Sequence, residues 1–305
     1  MPQPHGAVGA GVASGVFVVA FSPDGKLLAT GGYDGAVRLW NPATLRRVGV
    51  LQTGSGPAGG VAGVAFSSDG TLLASADADG MVLLWNTATG RRVGAPIHAS
   101  TSTNYGVHGV AFSRDDTLLA SADSDGTVRL WNPATGRRVG VPLQTGSRID
   151  AGVQWVAFSP DGTLLAAGCG DGTVWLWHPA TGQHIGPLHA TSSFRYGVNE
   201  VAFSPDGTLL ASADTNEGLR LWNPATGQPA GAPIPAVGAQ NAVVAVAFSP
   251  DGTLLASGGD DGTVGLWRPS LFAHAYAALC ADVGPPTPQE WNHYAPGEPQ
   301  PKVCG

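Results

Sequence analysis

The sequence predicts an all-β fold: six repeated, four-stranded antiparallel sheets arranged radially, followed by a short helical tail. Three observations carry this. The stretch VAFSPDGTLLASGGDDGTVGLW, Val246 to Trp267, is the last of six variants of one motif. The recurring phenylalanine falls at Phe21, Phe66, Phe112, Phe158, Phe203 and Phe248, so the copies are 45 or 46 residues apart. The recurring tryptophan, at Trp40, Trp85, Trp131, Trp177, Trp222 and Trp267, always follows 19 residues later. A rigid unit with adjustable connections is implied.

Within each unit, V-x-x-V-A-F-S is short, β-prone and bounded by a turn. S-P-D-G supplies that turn, Pro presetting φ and Gly taking the left-handed position. T-L-L-A-S reads as a buried second strand. A second turn carries D-G at Asp34, Asp79, Asp125, Asp171 and Asp261. T-V-R-L-W alternates with the period of a third strand. N-P-A-T-G turns the chain again, and R-R-V-G-V-P-L forms a more exposed fourth strand. Such a sheet has two apolar faces and cannot bury both alone, but stacked neighbours can. Radial stacking leaves only short sheet edges. In copy three Asp116 replaces the turn glycine, and in copy five Asn216-Glu217 replaces D-G. Both turns are expected to survive, since Asn and Asp tolerate the left-handed region, with Glu217 altering the shape of its turn.

Composition narrows the function. Of 305 residues, 43% are apolar and only 12% charged, while 45 glycines and 24 prolines punctuate the chain. The net charge is −7 and no basic block exceeds two residues, which argues against nucleic acid, whose phosphates need clustered Lys and Arg. Eleven of the 22 acids are turn aspartates, so the acidity is mostly turn chemistry. Three cysteines are too few for a disulfide framework. No run of 18 apolar residues suggests a membrane span, and GAVGAGVASGVFVVAF lacks the basic start of a signal peptide. A soluble cytoplasmic protein is expected.

The pattern FSPDG…LLAS…DGTVRLW resembles the WD40 repeat, with the same period, over residues 14 to 269. The resemblance implies a six-bladed β-propeller over residues 1–269, one four-stranded blade per repeat, with 270–305 as a helical or irregular tail packed on it. There are departures. Trp is followed by Asn in four copies, by His178 in the fourth and by Arg268 in the sixth, where the family often has Asp. The family's hydrogen-bonded set joins a His, a Ser or Thr, the turn Asp and the Trp. Thr30, Ser75, Ser121, Ser212 and Ser257 supply the hydroxyl. The matching His is missing, and His98 and His189 are candidate substitutes.

The last copy stops after its third strand. Residues 2–9, PQPHGAVG, align with fourth-strand positions and are expected to complete the last blade. A competing reading is a truncated seven-bladed protein, with six blades favoured. In the tail, Ser270 is read as the N-cap of a helix bearing Leu271, Phe272, Ala275, Tyr276, Leu279 and Cys280 on one side, stopped by Gly284. Thr287, Pro288 and Glu290 read as a second helix start. The tail resembles the C-terminal end of actinobacterial WD-repeat signalling proteins, which commonly follow an NTPase or kinase module. The plainer reading is that it covers a rim. Cys280 and Cys304 are expected to be reduced, with a disulfide as the alternative.

No phosphate loop, H-E-x-x-H, C-x-x-C or G-x-S-x-G occurs. No catalytic residue, cofactor or metal is therefore expected. The alternative is a channel-sited, metal-dependent hydrolase or lyase, for which His108, Asp77, Asp123 and Asp214 are the ligand candidates. Against it, these four residues read as hydrogen-bonded turn and strand-end groups. The leading reading is a non-enzymatic scaffold or sensory module in bacterial signalling, binding a protein partner but neither nucleic acid nor membrane. Its face would be formed where the repeat varies. Four residues before each Phe stand Phe17, Ala62, His108, Gln154, Asn199 and Val244. Ahead of the second turn stand Tyr33, Ala78, Ser124, Gly170, Thr215 and Asp260. The longer connections add Tyr105, Phe194, Arg195 and Tyr196. Aromatic and Arg residues are the usual interface anchors, and the competing reading is that each aromatic packs across a seam between blades. Trp155 and Trp175 read as filler between blades.

Overall fold

The structure, a computed structural model, describes residues 15–54, 60–100, 106–146, 152–191, 197–215, 218–234 and 242–273 together with Gln289. Copy one forms β1 (Val16–Phe21), β2 (Leu28–Gly32), β3 (Ala36–Asn41) and β4 (Arg46–Gln52). Copy two forms β5 (Val61–Phe66), β6 (Leu72–Asp77), β7 (Met81–Asn86) and β8 (Arg92–His98). Copy three forms β9 (Val107–Phe112), β10 (Leu119–Asp123), β11 (Thr127–Asn132) and β12 (Arg137–Gln144). Copy four forms β13 (Val153–Phe158), β14 (Leu165–Cys169), β15 (Thr173–Trp177) and β16 (His184–His189). Copy five forms β17 (Val198–Phe203), β18 (Leu210–Asp214), β19 (Leu219–Asn223) and the two-residue β20 (Gln228–Pro229). Copy six forms β21 (Val243–Phe248), β22 (Leu255–Gly259) and β23 (Val264–Trp267), followed by α1 (Ser270–Ala273).

The strands of each sheet are ordered as in the sequence, and the described ladders are antiparallel. The fold class is all-β, six blades of propeller type, one per repeat. Among the described residues the sixth blade has three strands, and the expected contribution of residues 2–9 lies outside them. The fifth blade departs from the expected fourth strand: among the described residues beyond β20, the Ala230 N–H donates to the Leu221 carbonyl at 2.8 Å and Ile234 bridges to Leu219. The chain forms two compact units, Met1–Phe158 and Ser159–Gly305. No helix among the described residues is long and apolar enough to cross a membrane.

In each unit the core lies between successive sheets. In the first, Val18, Val37, Leu39 and Leu51 of copy one pack with Val61, Val64, Leu73 and Trp85 of copy two. In the second, Leu219, Leu221 and Ile234 of copy five pack with Val243, Val246 and Leu255 of copy six. Each fully buried Leu or Val contributes roughly 1.5–3 kcal/mol, so a blade is stabilised mainly by its neighbour. Equivalent apolar positions differ in burial between copies. Val264 and Leu266 of β23 are 73% and 68% exposed, whereas Val37 and Leu39 at the same places in copy one are 0% and 3% exposed.

The first turns, S-P-D-G in four copies, S-S-D-G in copy two and S-R-D-D in copy three, share one set of bonds. In all six the Ser Oγ donates to the Asp carboxylate two residues on, at 2.5–2.7 Å. All six aspartates also accept the N–H of the residue two further on, at 2.9–3.1 Å, as Asp24 does at 3.0 Å. Asp116 does occupy the left-handed region, at φ 56°. Residues 216 and 217 lie outside the described set.

The tail departs from expectation at its start. Pro269 accepts the N–H of Phe272 and of Ala273, at 3.0 and 2.8 Å, and Arg268 that of Leu271 at 3.1 Å. Ser270 is therefore inside the first turn, and Pro269 is the cap. Phe272 lies edge-on to Trp267, ring centroids 6.3 Å apart, and joins the apolar cluster of copies five and six. The remaining helix positions, Cys280 and Cys304 fall outside the described residues.

Candidate partner-binding face

The variable positions owe their placement to a repeated irregularity in the ladders. Between first and second strands the register slips once, at the position four before the Phe. Val16 pairs Gly32 and Val18 pairs Gly31, leaving Phe17 as the extra residue. The same slip isolates Ala62, His108, Asn199 and Val244. A β-bulge removes a residue from the ladder and re-aims its side chain, so each of these points where a paired residue would not.

The partner row, ahead of the second turn, is fixed by one recurring bond. The N–H of Tyr33, Ala78, Ser124, Thr215 and Asp260 donates to the carbonyl of Gly15, Gly60, Gly106, Gly197 and Ala242, at 3.4, 3.1, 3.0, 3.1 and 3.1 Å. Bulge residue and turn residue thus meet within one blade. Phe17 and Tyr33 touch, ring centroids 3.8 Å apart and tilted by 58°. His108 Nε2 and Ser124 Oγ are 2.9 Å apart. Gly60 and Gly106 instead permit the close approach of the preceding blade: a Cβ on Gly106 would stand 2.5 Å from the Ala78 backbone of copy two, and one on Gly60 3.0 Å from that of Tyr33 of copy one.

These pairs differ in availability. Phe17 and Tyr33 are 52% and 56% exposed. His108 is half-buried, and burial lowers its pKa, favouring the neutral ring. The Asn199 amide donates to the Val243 carbonyl of the next blade at 2.8 Å. Gln154 is half-buried. Asn199 is thereby a tie between blades rather than a free anchor. Asp260 is exposed. Tyr105, Phe194, Arg195 and Tyr196 lie outside the described residues.

The aspartates proposed as cation ligands have other work. Asp77 Oδ1 accepts the N–H of Asp79 and of Met81, at 3.1 and 2.9 Å. Asp123, fully buried, pairs with Arg129 at 2.6 Å, and the same guanidinium reaches Asp125 at 2.7 Å. Burial raises the pKa of Asp123, and Arg129 opposes it. In copy two the arginine position holds Leu83, and Asp77 is satisfied by backbone instead. Among the described residues no three His, Cys, Asp or Glu side chains gather as a metal site would require.

The polar set behind each blade is also modified. Trp40, Trp85, Trp131, Trp222 and Trp267 donate Nε1–H to Thr30, Ser75, Ser121, Ser212 and Ser257 at 2.9–3.0 Å. Copy four has Ala167 at this position. His98 and His189 do not substitute for the missing histidine: both are exposed, at the ends of β8 and β16. The next residue does the joining. Thr53 and Thr145 hydroxyls donate to the Gly35 and Gly126 carbonyls at 2.7 Å, and the Ala99 and Ala190 N–H groups donate to Gly80 and Gly172 at 3.0 and 2.9 Å.

Trp155 fills space between blades, as expected, whereas the ring contacts of Trp175 lie within its own blade. Trp155 packs against the apolar cluster of copies one and two and over Gly109, where a Cβ would stand 3.2 Å from its ring. Trp175 stacks with Trp177, centroids 6.0 Å apart, and meets His184 edge-on at 5.2 Å. The role of Gly63 and Gly109 was not visible from spacing alone, although glycine twice at one repeat position was the available signal.

Comparison with known families agrees with this geometry. The family described as WD domain, G-beta repeat matches residues 9–41, 48–86, 94–132, 140–178, 185–223 and 234–268. These segments cover most of the chain, which belongs to that family. Its propellers are typically protein-interaction scaffolds and generally non-catalytic. No curated protein matches the chain.

Proposed function

We propose that this WD40-repeat chain is a non-enzymatic scaffold that presents a pre-ordered rim to a protein partner, in bacterial signalling and in the cytoplasm. The observation that carries the reading is the Phe17–Tyr33 pair: two large aromatic rings, in mutual contact and more than half exposed, held by a bulge and a backbone-anchored turn. Rings of this kind anchor interfaces because they bury much area at little entropic cost. Because the turn is bonded before docking, little ordering entropy is lost on association. Tyr105, His108, Gln154, Phe194, Arg195 and Asp260 extend the proposed contact set. The signalling context rests on the resemblance of the tail.

The test is photo-cross-linking from position 33 in the native cell, followed by affinity measurement with the purified cross-linked partner. Phe17→Ala with Tyr33→Ala is expected to weaken binding at least about tenfold while Tm stays close to the native value. Unchanged affinity in the double variant would remove the pair from the interface.

A further inference from the structure

Copy five alone places two polar residues, Asn199 and Glu200, at the bulge and the position after it. The other copies have Phe17-Val18, Ala62-Gly63, His108-Gly109, Gln154-Trp155 and Val244-Ala245 there. Both side chains of the fifth copy cross to β21. Asn199 donates to the Val243 carbonyl at 2.8 Å, and Glu200 Oε2 accepts the Val246 N–H at 2.8 Å. The two bonds flank the register slip of β21 between Val243 and Ala245. They hold one donor and one acceptor of the edge that β21 turns away from β22. The neighbouring blades are otherwise joined here by apolar packing.

The surroundings of Glu200 contain little that would hold a charge. β21 and β22 carry no ionisable side chain. β18 carries Asp214, and β14, which also packs on β17, carries Cys169. Arg220 on β19 stands opposite Ser212, one strand further away. Burial pushes Glu200 up to about 7, and only the Val246 N–H pulls it down.

We propose that Glu200 is a proton-operated latch between the fifth and sixth blades, closed while its carboxyl group holds a proton and loosened when it ionises. The protonated group is neutral and still accepts the Val246 N–H through its carbonyl oxygen. Ionisation strengthens the bond itself, but the cost of holding the charge in the seam is larger, so the ionised group is drawn toward water and that N–H is released. The sign follows from linkage: a carboxyl whose folded-state pKa is raised stabilises at low pH, and the contribution is lost as pH rises through the folded value. The device acts on the sixth blade, so whatever docks on the rim there meets a tighter surface in mildly acidic conditions.

Amide hydrogen exchange of Val246, corrected for its intrinsic rate, tests this on the whole chain. Between about pH 5.5 and 8, protection at Val246 is expected to fall about tenfold. In Glu200→Gln, which keeps an acceptor but cannot ionise, the fall is expected to vanish. A carbon-detected titration of the Glu200 carboxyl in the native protein is expected to give a midpoint near neutrality. Protection at Val246 that stays flat or rises with pH overturns the proposal, as does the same slope in Glu200→Gln, or a carboxyl midpoint in the ordinary glutamate range.

Discussion

The carboxylate of Asp116 accepts both the backbone N–H and the hydroxyl of Ser68, each at 2.7 Å, and so ties the first turn of the third blade to that of the second. It also accepts the Asp69 N–H at 3.2 Å. Other seams do this differently. Pro23 packs beside Gly70, Pro160 beside Gly207 and Pro205 beside Gly252, each within about a van der Waals contact of where a Cβ would be. Pro at position 68 would have no N–H to give, and Gly at 116 would have no carboxylate to take it. These two departures from the repeat therefore act as one substitution in two places.

Ser68→Pro alone is expected to destabilise by about 1 kcal/mol, since it removes donors from an exposed carboxylate. Asp116→Gly loses the same bonds but relieves a left-handed φ, and should cost less. Together they recreate the Pro–Gly seam. A double-mutant cycle in denaturant should give a favourable coupling of about 1 kcal/mol, and strict additivity would show that the residues are independent.

The hydroxyl behind each tryptophan is a second point of control. Ser121 is fully buried and accepts the Trp131 indole N–H at 3.0 Å. Ser121→Ala leaves that donor without its acceptor and should cost about 1–2 kcal/mol, read as a lower denaturation midpoint at unchanged m.

Close approach of inner strands sets a third expectation. A Cβ on Gly63 would lie 2.9 Å from the Gly109 Cα and 3.0 Å from the His108 carbonyl oxygen. Both obstacles are backbone, which yields little. Gly63→Ala should therefore destabilise by roughly 1–3 kcal/mol, whereas Gly49→Ala, with its nearest neighbour at 3.8 Å, should be far milder.

Stability should depend on pH with a defined sign. The turn aspartates are held below the ordinary 3.8 by their Ser, Thr and backbone donors; for Asp24, led by the Lys26 N–H, the value drops to about 2. A lowered carboxyl stabilises above its unfolded pKa, and that contribution is lost as pH falls through the folded value. The urea midpoint is therefore expected to drop between about pH 4 and pH 2. Asp123 and Glu200, raised by burial, act in the opposite sense on the neutral side. An acid limb with no slope would contradict the turn account.

Much of the architecture was readable because it is periodic. Phe and Trp at a constant separation fixed the three inner strands, and S-P-D-G fixed the turn between the first two. What periodicity cannot reveal is register. The bulge that singles out Phe17, His108 and Asn199 exists only in the pairing of two strands, and no residue type marks it. The fate of each face residue was hidden for the same reason: Asn199 and Phe17 hold equivalent places, yet one bonds to the next blade and the other stays exposed. The failure at Ser270 is local. Ser is a good cap, but the Pro269 carbonyl already closes the first turn. The Ser68–Asp116 pair was visible as two separate irregularities, and only the contact joins them.

The central claim is that the rim is ordered before any partner arrives, held by the backbone bonds of Tyr33, Ala78, Ser124, Thr215 and Asp260. Hydrogen exchange of these five amides in the free protein tests it most directly. The account predicts slow exchange, at least about a hundredfold below the unprotected rate, at all five. Exchange at the unprotected rate would show a rim that orders only on docking, and would contradict it.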